Sequence, residues 1–278
     1  MNTRLFAGSV MVLLMMPVAA TAQSIAGSDP HPEVHLYSAA DFGIDPAAVT
    51  FTKDIAPILQ RSCQTCHRVD GGAPMSLTTF QEVRPWARAI KQRTAIRDRM
   101  GAMPPFFVEK DLGILRFKDD PSLSDEELAK IQAWVDNGAP RGDPGDMPPA
   151  LEFPPGDAWT IGEPDLVLRS REVIVPAIGP DRWGDIGLVP TGLTEDRYVK
   201  AVQVREINDI PADTGSSTVG GRYVFHHMTY SAGVLNEEGT AIDPETRTRF
   251  PIHEVGRNAD IFPEKFGTLL QANSALHL

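Results

Sequence analysis

Cys63-Gln64-Thr65-Cys66-His67 is the stretch on which the reading of this chain depends. It holds both cysteines of a 278-residue sequence, three positions apart, with a histidine directly after the second. Two thiols one short turn apart reach the two vinyl groups of a protoporphyrin, and the next side chain puts an imidazole nitrogen on the iron. Covalent haem c is therefore the expected cofactor, held by Cys63, Cys66 and His67. A disulfide, a partial zinc site or a thioredoxin-like dithiol would use the same cysteines. Zinc takes four ligands, and only one obvious partner histidine lies nearby in sequence. A redox dithiol expects a strand before it, a long helix after it and no histidine in that slot.

Working outward, a short helix leads into the motif. Asp54 is placed to cap it, Pro57 falls in its first turn where a missing N–H costs nothing, and Ile55, Ile58 and Leu59 form an apolar face. Downstream, Ser124 and Glu127 have the spacing of a capping box. Leu128, Ile131, Trp134 and Val135 then recur at helical spacing, until Asn137-Gly138 and Pro140 stop the helix. Residues 50–143 thus read as an all-helical wrap whose small core is completed by the porphyrin.

An iron that only transfers electrons needs a second axial ligand. Met75 is too near the attachment turn to reach the opposite haem face, and Met100 sits at the end of an expected helix. Met103 follows Gly101-Ala102 and precedes Pro104-Pro105, so it lies in a loop held extended. Met103 is the expected ligand and Met100 the alternative; Met/His ligation raises the reduction potential above that of bis-His. His31, His35 or a later histidine would serve a bis-His site. Between them, Arg84, Arg88, Lys91, Arg93, Arg97 and Arg99 make a basic run in an otherwise acidic chain. It reads first as a solvated helix face. The sharper readings are pairing with haem propionates or docking of an acidic redox partner.

Residues 1–22 have the pattern of a secretory signal: Arg4, an apolar run from Leu5 to Val18, and Ala20-Thr21-Ala22 before the cut. The run is short for a membrane span, so no stable span is expected after cleavage, a retained anchor being the alternative. Export fits haem c, which is attached outside the bacterial cytoplasm, and predicts a periplasmic or secreted protein. Its formal charge of −11, made one unit more negative by loss of Arg4, argues against a nucleic-acid partner. Residues 23–49 read as an irregular approach. Six of the 24 prolines gather within residues 140–155 among glycines, which marks 144–160 as a linker.

From residue 161 the character changes. Leu166-Val167-Leu168, Val173-Ile174-Val175, Tyr198 to Val204 and Tyr223 to Tyr230 are short β-prone runs separated by glycine and proline turns. They predict an antiparallel sandwich. Within the last run, His226 and His227 are adjacent, so on a regular strand they face opposite ways. Both reach one metal only if the strand bulges or ends there. The ordinary alternative is a pair of hydrogen-bonded strand histidines.

Two resemblances bear on these segments. FTKDIAPILQRSCQTCH, MPPF and LSDEELAKIQAWVDNGAPRGD resemble the small periplasmic c-type cytochrome domains of bacteria, over about residues 50–143. In those domains the methionine of Met-Pro-Pro is the distal ligand, which implies Met103. TEDRYVKAVQVRE, YVFHHMTYS and HEVGRNADIFPEKFGTLLQANSALHL resemble the first core domain of the copper type II, ascorbate-dependent monooxygenases, in particular their bacterial branch fused to a cytochrome c. That resemblance implies that His226 and His227 are copper ligands, with a third histidine on a later strand; imidazole suits copper. The family's second copper site, with its His-x-His pair, is not in the sequence. Only His253 and His277 follow, and the chain ends in the apolar run Leu276-His277-Leu278. His253 reads as a loop residue, His277 as a weak candidate ligand, and the sequence as a piece of a longer protein whose last strand would be left as an unpaired edge.

The expectation is a multidomain chain, an all-α cytochrome c domain followed by an incomplete, jelly-roll-like all-β antiparallel sandwich. Its haem passes single electrons to a redox partner or to its own copper domain, and a small-molecule substrate is hydroxylated only in the complete protein. Rival readings are a plain electron carrier with a structural β-domain, and a haem sensor or peroxidase-like enzyme with an exchangeable sixth position.

Overall fold

The computed structural model describes residues 34–278 except 70, 111, 114–116, 155–157, 177, 179, 181–182, 210–223, 255–256 and 258. The secretory pattern of residues 1–22 and His31 lie outside the described residues. Val34–Leu278 form one compact unit.

The chain enters its first helix through a π-helical turn at Phe51–Ile55, which runs directly into α1 (Ala56–Ser62). Asp54 does not cap α1 as expected. It lies inside the π turn, and its carboxylate reaches back to accept the Thr50 N–H at 2.9 Å. Ile55, Ile58 and Leu59 are buried, so the anticipated apolar face is present. A capping box at Thr79 and Glu82 starts α2 (Phe80–Val83), a Thr-x-x-Glu signal that sequence reasoning passed over. Then follow α3 (Ala87–Thr94) and α4 (Asp125–Asp136). In α4 the Ser124 hydroxyl accepts from the Glu127 N–H and the Glu127 carboxylate accepts from the Ser124 N–H. Its inner face is Leu128, Ala129, Ile131, Gln132 and Trp134. Gly138 turns the chain out of the helix at φ 81°, and Trp134 Nε1 donates to the Pro140 carbonyl at 2.9 Å. Phe51 packs on Phe80 and Trp134, with ring centroids 5.4 and 6.2 Å apart, at the centre of this core.

Among the described residues the later half carries ten short strands: β1 (Leu188–Pro190), β2 (Arg197–Val199), β3 (Ala201–Gln203), β4 (His227–Met228), β5 (Ser231–Val234), β6 (Thr248–Arg249), β7 (His253–Glu254), β8 (Ala259–Ile261), β9 (Thr268–Leu270) and β10 (Ser274–His277). All described pairings are antiparallel. One sheet has the order β1-β10-β5-β6; the others are the pairs β2-β9, β3-β8 and β4-β7. A small core gathers Tyr230, Ala232, Phe250 and Leu270, with Tyr230 and Phe250 stacked at 5.5 Å.

This architecture overturns the expected fold class of an all-α cytochrome c domain followed by an all-β sandwich. The helices are few and short, and the path from Gly101 to Ser124 contains no described helix. In the β half, strands of two to four residues form small separate sheets in place of two packed ones. The physical reason lies in side chains that periodicity overvalued. Val173-Ile174-Val175 forms no strand, and Ile174 is 85% exposed. The run from Tyr198 to Val204 splits into β2 and β3, which take different partners, and Tyr198 is 76% exposed. A β-branched run becomes a sandwich strand only where a facing sheet buries it. The last strand is not an edge, since β10 lies between β1 and β5.

Candidate functional site

The Cys63–His67 turn is built by the end of α1 and by the loop that folds back over it. His67 N–H donates to the Cys63 carbonyl at 2.8 Å and Cys66 N–H to the same oxygen at 3.1 Å, which closes the turn. The returning loop then bonds to it at three places. Ala73 N–H donates to Cys66 O at 3.1 Å, Leu77 N–H to His67 O at 2.9 Å, and the buried Gln64 amide to Leu77 O at 2.9 Å. Gly71 is seated against the turn so closely that a Cβ there would lie 2.1 Å from the Cys66 carbonyl oxygen. No side chain fits at that position.

His67 is oriented by this loop. Its Nδ1 lies 3.1 Å from the Met75 carbonyl oxygen, an acceptor, so Nδ1 carries the proton and Nε2 is left with its lone pair. Burial lowers the His67 pKa, against the upward pull of the Met75 carbonyl, so the ring is held neutral. Both thiols are free of any disulfide. Burial pushes the Cys63 thiol up to about 12, with Arg61 opposing, and raises that of Cys66, with Arg68 opposing. A nucleophilic dithiol or a thiolate zinc site needs the reverse shift. Met75, set aside as an axial ligand, thus serves through its backbone; no sequence pattern reports where a carbonyl will point.

Met103 sits on the loop after α3, its N–H donating to the Arg93 carbonyl at 3.0 Å. With Pro104, Phe106, Thr94, Arg97, Ser122 and Leu123 it lines a cavity. Ser122 ties that cavity to α1, because Arg61 Nη1 donates to the Ser122 carbonyl at 3.2 Å. Met103 is 41% exposed and Met100 88%. Farther along the chain Phe107, Val108, Leu112 and Phe117 are exposed. The free thiols and the oriented imidazole fit a covalent haem.

Three members of the basic run are engaged with neighbours, while Arg88 and Arg93 stay exposed. Arg84 donates to the Gly138 carbonyl at 2.9 Å, Lys91 pairs with Asp136, and Arg97 binds Asp125, the Tyr37 hydroxyl and the Leu123 carbonyl. These charges tie α3 and its following turn to α4 and the segment around it. His35, the bis-His alternative, is engaged with Asp98 at 3.3 Å.

In the β half the chain bends at His226 and β4 starts at His227, the strand end that would let both rings share a side. Their centroids are 4.2 Å apart with 35° between planes. His227 Nδ1 lies 3.8 Å from Glu254 Oε1 across the β4–β7 ladder. His253 is no loop residue. It lies in β7 opposite Met228, 3% exposed, with neither ring nitrogen hydrogen-bonded and Nε2 3.7 Å from the buried Glu206 carboxylate. Facing residues of an antiparallel pair share a face and successive ones alternate, so His253 is on the other face from His227. His277 is bound to Asp185 at 2.8 Å. Among the described residues no group of three or more His, Cys, Asp or Glu stands ready to hold a metal, and no helix is long and apolar enough to cross a membrane. No protein-family model, curated protein or solved structure gives a significant match to this chain.

Proposed function

We propose that this chain is an exported haem c protein that carries single electrons, joined to a copper-binding module of the ascorbate-dependent monooxygenase type. The observation that carries the haem reading is the attachment turn itself: two unpaired thiols beside an imidazole whose Nδ1 is bonded to the Met75 carbonyl and whose Nε2 is free. Bound there, haem supplies a one-electron couple. The chain's own residues do the rest. Cys63 and Cys66 anchor the group, His67 presents Nε2 as proximal ligand, and Met103 offers the thioether for the opposite side.

The copper reading draws on the neighbouring, tilted rings of His226 and His227 at the start of β4. These two would supply the imidazoles of a type II site. Oxygen and substrate chemistry would belong to further residues of the complete protein, and the proposed role of this chain is delivery of electrons.

The test is direct. The chain exported in a bacterium equipped for haem c attachment retains red pigment through denaturing electrophoresis, and the Cys63→Ala, Cys66→Ala double variant does not. Pigment lost from the wild type on denaturation overturns the reading. The oxidised protein should show the weak near-infrared sulfur-to-iron band, abolished by Met103→Ala and kept by Met100→Ala. A high-spin ferric spectrum in the wild type would favour the sensor or peroxidase-like reading instead. Copper titration that loses its stoichiometric site in His226→Ala supports the second module; no difference between the two proteins leaves a carrier with a structural β half.

A further inference from the structure

Just past the end of α3, Arg97 turns the chain at φ 57°, a left-handed conformation that an arginine rarely adopts. A residue stays in such a conformation where its surroundings over-determine it, and here the guanidinium supplies the hold. Nη1 donates to the Tyr37 hydroxyl at 2.8 Å and also to Asp125, and Nη2 donates to the Leu123 carbonyl at 3.0 Å. The same guanidinium lies 5.8 Å from the centre of the Tyr37 ring. Tyr37 is fixed in its turn. Its N–H donates to Gln132 Oε1 at 2.9 Å, and the same buried amide donates from Nε2 to the His35 carbonyl at 2.7 Å. The His35 N–H donates to the Ala95 carbonyl at 2.7 Å. Residues 35–37 are therefore a strap bonded to both α4 and the end of α3, and it delivers the phenol to Arg97.

Arg97 and Leu123 are wall residues of the cavity that Met103 also lines. Met103 is tied to α3 by its own N–H on the Arg93 carbonyl at 3.0 Å, so its loop and the wall beside it are held by separate bonds. An arginine kept only for solvation needs neither a strained backbone nor a fork spread over three acceptors. We propose that Arg97, delivered by Tyr37, is a positioning residue for Met103: it holds the Leu123 wall in place and so limits how far the thioether opens to solvent. That the thioether sits on an iron rests on the function proposed above, whereas the wall itself does not.

Methionine oxidation by chloramine-T on the full exported chain, read residue by residue by mass spectrometry, tests the wall. Met100, exposed a few residues away, is the internal reference. In the wild type Met103 is oxidised more slowly than Met100. Tyr37→Phe, which removes only the hydroxyl, speeds Met103 by roughly twofold, towards the Met100 rate, and leaves Met100 unchanged. Arg97→Gly does the same or more, although glycine suits the left-handed turn; a residue kept only for the turn would be replaced there without effect on Met103. Wild-type Met103 oxidised as fast as Met100, a Met103 rate indifferent to both substitutions, or both methionines speeding up alike, overturns the proposal. Where Arg97→Gly does not fold, Tyr37→Phe decides. In pigmented protein the same variants bind added imidazole at the ferric iron roughly fivefold more tightly, the value of one hydrogen bond holding the thioether in place. An oxidation effect without an imidazole effect keeps the wall and removes Met103 from the iron. Oxidation is read with or without pigment, so absence of haem counts against the proposed function alone.

Discussion

At the scale of single residues, the attachment turn depends on groups that have no chemistry of their own. Gly71 is there because the Cys66 carbonyl leaves no space for a Cβ. Gly71→Ala forces the loop off the turn and should destabilise the protein by about 1–3 kcal/mol, measured by denaturant unfolding, with a lower yield of covalent haem. Gln64→Ala strips the partner from a buried Leu77 carbonyl and should cost a similar amount, about 1–3 kcal/mol. The thiols differ in a way that labelling can read. Cys66 is exposed and Cys63 partly buried with its pKa up at about 12, so in the haem-free chain iodoacetamide should modify Cys66 first, by roughly tenfold or more at neutral pH. Because the folded Cys63 value lies above its ordinary 9.0, the stability it contributes is complete below that pH and is lost as pH rises towards about 12. Circular dichroism of the haem-free chain should therefore show loosening in alkali. That Cys63, Cys66 and His67 would share one turn was legible in the sequence from spacing alone; the contacts of Gly71 and the Met75 carbonyl were not, because they exist only once the loop has folded back.

Among the elements, α4 is the one its sequence specifies most completely. Hydroxyl N-cap, reciprocal glutamate, apolar stripe and terminal glycine all agree, and the structure has each of them. Glu127 is also bound by Arg61 of α1, at 2.7 Å from each of its oxygens. Burial pushes its pKa up, but the Ser124 N–H and the Arg61 guanidinium outweigh that and leave it below its ordinary 4.5. A depressed carboxylate contributes stability above its unfolded value and loses it as pH falls through the folded one. Acid titration should therefore loosen the α1–α4 contact below about pH 4.5, and Glu127→Gln should remove that part of the acid dependence. The basic run shows the opposite case. Its periodicity reads as a wet helix face, but the structure spends Arg84, Lys91 and Arg97 on neighbours. Charge patterning gives the face of a helix and says nothing of what is opposite.

For the molecule as a whole, two apolar clusters differ greatly in depth. The helical one has Phe51, Ile55, Leu59, Leu128, Ile131 and Trp134 almost wholly out of water, while the β one rests on Tyr230, Ala232, Phe250 and Leu270. Trp134→Ala should cost about 3–5 kcal/mol of helical stability. Near-ultraviolet circular dichroism from the Tyr230–Phe250 stack should survive that substitution, since no part of the stack rests on the helical core. Loss of both signals together would show that the clusters unfold as one.

Spacing along the chain set out the candidate groups: two thiols and an imidazole in one turn, a thioether between glycine and prolines, two adjacent imidazoles. Local spacing is enough for these because each group is brought to its place by a few peptide bonds. Only the tertiary structure decided that the helices would be short, that the β runs would make small separate sheets, and that His253 would be buried against Glu206. Those outcomes depend on which distant segment covers each apolar side chain, and a hydrophobic pattern names the face to be covered without naming its partner.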